Sequence, residues 1–144
     1  MSRVIATGVE LLRERGDNRS MVTRLALVAA AGAAGSLCRF GLSFWVQRWF
    51  GDPFPWGTLS VNLVGSFFFG LVFSLGESRA WLTPEARLII LVGFMGAFTT
   101  FSSFAFDTHR LVVEHSWGLA LANLAAQNLS GLAAVSAGIW VGRL

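Results

Sequence analysis

Four apolar stretches constrain this chain more than any other feature. They run over about 25–46, 58–75, 86–107 and 118–141. Each suffices to cross a bilayer, whose hydrocarbon core takes about twenty helical residues. Polar segments punctuate them. Gly51-Asp52-Pro53-Phe54-Pro55-Trp56-Gly57 is dense in turn residues, and Glu77-Ser78-Arg79 opens a second connection. Thr83-Pro84-Glu85 predicts a helix start, with Thr83 as N-cap and Pro84 at the first helical position. Thr108 to Trp117 reads as a polar loop carrying His109 and His115. Trp45, Trp49, Trp56, Trp81, Trp117 and Trp140 all fall near span ends, where an interfacial aromatic belt sits.

Composition agrees. The chain is 54% hydrophobic and only 13% charged, where a soluble domain carries about a quarter charged residues. The expectation is an all-α integral membrane protein, multi-pass in an inner or plasma membrane. A four-helix transmembrane domain, 23–144, follows a polar N-terminal extension, 1–22. That extension bears Arg3, Arg13, Arg15 and Arg19 and is weakly amphipathic, so it is either a short interfacial helix or disordered.

Several function classes drop out. All 11 basic residues are arginines, scattered beside apolar spans with no basic patch, so nucleic acid is not a partner. Cys38 is the only cysteine, which excludes an intrachain disulfide, and it reads as a small core residue. His109 and His115 have no further spaced ligands for a metal site. No nucleophile, base and oxyanion set can be assembled from these spans, so the chain is not read as an enzyme. After the first twenty residues, Arg24, Arg79, Arg87 and Arg143 on the terminal side face Arg39, Arg48 and Arg110 on the other. Four against three is almost no orientation bias.

The spans themselves carry polar residues that lipid does not favour. The third holds Gly93-Phe94-Met95-Gly96-Ala97-Phe98-Thr99-Thr100-Phe101-Ser102-Ser103-Phe104. Two glycines and paired hydroxyl residues predict a helix break, and irregular backbone at membrane depth needs protein or a water-filled cavity around it. Phe98, Phe101 and Phe104 are spaced by three, which places them close to one helical face. Thr58, Asn62 and Ser66 share a face of the second span, and Asn123, Gln127 and Ser130 a face of the fourth. Asn62 is either an interhelical hydrogen-bonding group or a ligand. Arg39 is either a snorkelling anchor or a protein-facing residue with a structural or anion-attracting role. Asp107, near the third span's end, reads as interfacially solvated.

Three motifs occur together and in order: Gly32-x-x-Gly35-x-x-x-Arg39-Phe40; Gly57-Thr58-Leu59-x-Val61-Asn62-x-x-Gly65-Ser66-Phe67-x-x-Gly70; and the third-span stretch above. They resemble the signatures of the Fluc/CrcB fluoride channels over about residues 24–143. Ser36, Phe40, Ser103 and Asp107 depart mildly from the family pattern. Asn123 stands where a Tyr is common and Gln127 where a Ser is common. The resemblance implies passive fluoride efflux that confers fluoride resistance. It also implies a dual-topology antiparallel homodimer with a broken third helix; a heterodimer with a paralogous chain is the other pairing. Fluoride-pore residues Asn62, Phe101 and Phe104 follow by motif position, with Thr58, Ser102, Ser103 and Gln127 as further hydrogen-bond donors along the pore. So does a structural sodium ion (Na+) at the dimer interface, held by backbone carbonyls of Gly96 and Thr99. The residue chemistry is consistent: amides and hydroxyls donate hydrogen bonds, and a phenylalanine ring has a positive edge. The rival reading is a small four-helix proton-coupled exporter of cations or drugs. That chemistry needs a mid-membrane carboxylate, which no span supplies.

Overall fold

The computed structural model describes the backbone of residues 2–78 and 82–144 and the side chains of residues 20–77 and 82–144. The chain order is α1 (Ser2–Phe50), α2 (Trp56–Ser78), α3 (Pro84–Leu88), a π-helical segment (Ile89–Met95), α4 (Gly96–Phe98), α5 (Phe101–Val113) and α6 (Trp117–Gly142). Among the described residues, four helical spans are long and apolar enough to cross a membrane: Ser20–Phe50, Trp56–Glu77, Pro84–Val113 and Trp117–Gly142. The third is therefore a composite of four short pieces, while the other three are single helices.

Glycines set how closely these spans approach. α2 and α6 form the tightest pair. Gly138 lies against the backbone of Phe67 and Leu71, and Gly70 against that of Val135 and Ile139. Any side chain at either glycine would meet main chain, which cannot move aside as a flexible side chain can. With no hydrophobic drive between helices in lipid, such backbone contact supplies the packing. α1 covers the π segment in the same way: a Cβ added at Gly93 would stand 3.0 Å from the Val28 carbonyl oxygen. Elsewhere residues 20–50 of α1 are largely bare, with Leu37 and Phe40 more than two-thirds exposed. Those surfaces suit lipid or another membrane protein chain.

The predicted helix start holds. Thr83 accepts from the Ala86 amide at 3.2 Å, and Pro84 opens α3. Trp45, Trp49, Trp56, Trp117 and Trp140 are exposed near helix ends, as a belt requires. Trp81 and Arg79 lie outside the described residues. The turn between α1 and α2 is pinned by Gln47, whose amide nitrogen donates to the Gly51 carbonyl at 2.8 Å and whose oxygen accepts from the Gly57 amide at 3.1 Å.

Four expectations need correction. The polar loop at 108–117 shrinks to Glu114–Ser116, because α5 continues to Val113 and takes His109 with it. Phe98, Phe101 and Phe104 do not share a face, because the helix breaks between the first two. Phe98 is 5% exposed and Phe101 78%. Cys38 is exposed on α1 and is not a core residue of this chain. Asp107 is not simply solvated: its Oδ2 accepts from the Thr58 hydroxyl at 2.6 Å.

Candidate functional site

The site is built at the break in the third span. Thr99 (φ −80°, ψ 160°) and Thr100 (φ −150°, ψ 112°) are extended between α4 and α5. β-branched residues tolerate that geometry well. Thr100 also caps the next helix, its Oγ1 accepting from the Ser103 amide at 3.2 Å. α5 thus begins near the middle of the span Pro84–Val113. Its first turn carries Phe101, Ser102 and Ser103, and its partial positive N-terminal end lies at membrane depth.

A break exposes backbone groups that lipid cannot satisfy, each at a cost of several kcal/mol on the order given for hydrocarbon. One side chain of α2 answers this. Asn62 Oδ1 accepts from the Thr100 amide at 2.8 Å, and Asn62 Nδ2 donates to the Thr100 carbonyl at 3.1 Å. Asn62 therefore grips both polar groups of one residue, as a neighbouring strand would. The amide that would close the turn onto the Gly96 carbonyl is taken, so that carbonyl is released from the usual helical bond. One residue earlier the helical bond persists, the Thr99 amide and hydroxyl both donating to the Met95 carbonyl at 3.0 Å. Gly96 itself is exposed on the chain's outer face.

The second proton on Asn62 Nδ2 goes to Gln127 Oε1 on α6, at 3.0 Å. Both amide protons of Asn62 are thus committed within the chain. Gln127 is 9% exposed, and its Nε2 has no partner among the described residues. One turn earlier on α6, Asn123 is fully buried and donates to Thr108 Oγ1 at 2.8 Å. Thr108 in turn donates to the Phe104 carbonyl at 2.8 Å.

Two grooves flank this network. One, of about 460 Å³, is lined by Asn62, Ser66, Phe69, Thr99, Thr100, Phe101, Phe104 and Gln127 among others. Phe101 and Phe104 meet there edge to face, with ring centroids 5.6 Å apart. Phe101 is 78% exposed and Phe104 8%, so one ring stands free while the other is set into the chain. The other groove, of about 740 Å³, is lined by Arg39, Arg48, Thr58, Thr100 and Ser103 among others. Of the sequence-predicted residues, Asn62, Phe101, Phe104, Gln127 and Thr99 therefore gather on one groove. Thr58 and Ser103 lie on the other, where Arg39 adds positive charge. Ser102 lines neither, though its hydroxyl is 3.3 Å from that of Thr100. Gly96 lies at the break without lining either groove. Ser130 stays out of the network and donates to the carbonyl of Ala126 on its own helix.

Thr100 is the residue that sequence reasoning missed. It lines both grooves, caps α5 and receives the Asn62 clamp. Its signal was there: a threonine immediately before the phenylalanine-rich run that opens at Phe101 is a candidate helix N-cap.

Comparison with known proteins bears on this arrangement. Residues 26–139 match the family described as CrcB-like protein, Camphor Resistance (CrcB). A protein of Maridesulfovibrio salexigens named fluoride-specific ion channel FluC is 50% identical over 117 residues, covering 81% of this chain and 93% of the relative. Relatives of the same name from Solidesulfovibrio magneticus and Nitrosococcus oceani are 49% and 46% identical over 124 residues, each covering 86% of this chain and 99% of the relative.

Proposed function

Because the chain belongs to the CrcB family, and its helices make it a multi-pass membrane protein, we propose that it is a fluoride-selective channel. It lowers cytoplasmic fluoride by passive efflux along the third-span break. The observation that carries this reading is the start of α5 at membrane depth, with Thr100 held open by Asn62 beside a groove of two phenylalanines and an unpartnered amide donor.

Fluoride is small and holds its water tightly, so a pathway must replace that water with donors. The Arg39 side of the larger groove attracts anions to the break, and Ser103 offers a hydroxyl proton there, while that of Thr58 is committed to Asp107. On the smaller groove the positive edges of Phe101 and Phe104 face the path. Apolar walls exclude water and strengthen each remaining polar contact. Asn62 acts chiefly by holding Thr100 and Gln127 in place, since its own protons are spent.

The break also fits a monovalent cation. The Gly96 carbonyl is released by the Asn62–Thr100 bond, it sits on an exposed surface, and no cluster of His, Cys, Asp or Glu occurs among the described residues. Gly96 and Thr99 are the residues that would hold sodium through backbone oxygens, completed by the same residues of a second, antiparallel copy. The ion supplies positive charge that offsets the carbonyl dipoles. The bare outer face of α1 and the near balance of Arg residues after position 20 support such a pairing.

Efflux from reconstituted vesicles tests the function. Vesicles loaded with both anions release fluoride and retain chloride. Equal loss of chloride, or proton-dependent uptake of an organic cation instead of fluoride loss, rejects the channel.

A further inference from the structure

A third groove, separate from the two at the break, lies where the third span enters the membrane. Pro84 opens that span, and α2 closes at Ser78 beside it. Between them is a groove of about 270 Å³, lined by Gly76, Arg87, Leu88, Leu91 and Val92 among others. Arg87 is the only charged residue lining it among the described residues.

Packing against α2 sets where that charge stands. The Arg87 stem crosses Gly76, where an added Cβ would stand 2.9 Å from Arg87 Cδ and 3.2 Å from Nε. The guanidinium then lies over the Phe73 ring, 4.3 Å from its centroid, in a cation–π contact. Stacking occupies a face of the planar guanidinium and leaves its N–H edges open. Among the described residues Arg87 makes no ion pair. Glu85, two positions before it, is engaged with Arg24 at 3.0 Å. The result is a positioned cation whose donors are uncommitted.

Deeper into the span the wall becomes apolar. Leu88 is 48% exposed and Val92 63%, with the buried Leu91 between them. A free anion would answer Arg87 and leave this wall bare. An acyl chain alone would cover the wall and leave the cation unpaired. A phospholipid with a net negative head answers both, because arginine matches a phosphate with two parallel hydrogen bonds and anionic leaflets draw basic residues at span ends. We propose that the groove binds one anionic phospholipid per chain. Its phosphodiester pairs with Arg87, and one acyl chain lies along Leu88 and Val92. The lipid ties the start of the third span to α2, whatever ion passes the break.

Native mass spectrometry tests this on the full chain, released from micelles holding equal amounts of phosphatidylglycerol and phosphatidylcholine. Wild type retains one phosphatidylglycerol per chain with about tenfold preference, the size of one charged hydrogen bond. Arg87→Gln loses the preference; should it fail to assemble, Arg87→Met carries the same expectation. Phe73→Leu keeps the charge but frees the guanidinium, and the preference falls about threefold. Arg110→Gln removes a charge near the other end of the same span and keeps the preference. Phosphatidylglycerol also raises the thermal midpoint of wild type and not that of Arg87→Gln. Equal retention of the two lipids by wild type overturns the proposal. So does a preference that survives Arg87→Gln, or one lost as fully in Arg110→Gln, which marks a general charge effect. Competition by inorganic phosphate would make this a free-anion site and overturn the lipid. Dissociation of paired chains in Arg87→Gln with lipid retention unchanged would give the groove to a second copy instead.

Discussion

The α2–α6 pair and the third span solve the same problem in opposite ways. Both must satisfy backbone in a medium that offers no water. α2 and α6 do it with unbroken helices, and use Gly70 and Gly138 to bring their main chains into contact. The third span leaves helical geometry at Thr99 and Thr100, and borrows a side chain, Asn62, to satisfy both backbone groups of Thr100. The first arrangement is a scaffold that admits nothing. The second keeps polar groups at membrane depth, which is what an ion pathway needs. The two are joined, because Asn62 stands on the scaffold helix and reaches into the break.

The comparison breaks most visibly on the scaffold side. Gly138→Leu would drive a side chain into the backbone of Phe67 and Leu71. No assembled protein is expected on size exclusion in detergent; a normal yield would mean that the two helices separate at little cost. The pathway side comes next, in two unequal steps. Phe104 is buried and Phe101 exposed. Phe104→Ile is expected to slow fluoride efflux and to cost about 1 kcal/mol in stability, as a reshaped buried side chain does. Phe101→Ile slows efflux with little change in the unfolding midpoint, and the reverse pattern would exchange their roles.

Smaller effects mark the rim. Asp107→Asn keeps an acceptor for the Thr58 hydroxyl but gives up the charge on that bond. A charged hydrogen bond is about twice as strong as a neutral one, so a loss near 1 kcal/mol is expected, with fluoride efflux largely kept. Abolished efflux would move Asp107 into the pathway. Arg24→Ala removes an exposed ion pair with Glu85, whose side chains are 60% and 48% exposed. Its unfolding midpoint should match wild type, since exposed pairs contribute about 0–1 kcal/mol and these are well solvated.

Much of this division was legible in the sequence. The four spans, the Thr83 cap and the break followed from apolar length, Pro84 and the clustered Gly, Thr and Ser residues. Residue periodicity, however, assumes one continuous helix. That assumption put Phe98 with Phe101 and Phe104, and it fails wherever the chain changes direction. Spacing also showed that Asn62 and Gln127 each lie on a polar face. It did not show that the two faces meet, because a contact between residues 65 apart depends on how α2 packs on α6. Thr58 and Asn62 share a helical face by count, yet they open onto different grooves, since Thr100 stands between them.

The claim that one amide holds the broken helix open as an anion path is tested most directly at Asn62. Asn62→Asp has nearly the same shape and keeps an acceptor for the Thr100 amide. When ionised it can no longer donate to the Thr100 carbonyl or to Gln127, and it sets a negative charge beside the path. Fluoride efflux from vesicles of this variant, with assembly verified on the same preparation, is predicted to fall to the level of protein-free vesicles. Wild-type efflux from an assembled Asn62→Asp protein would contradict the account.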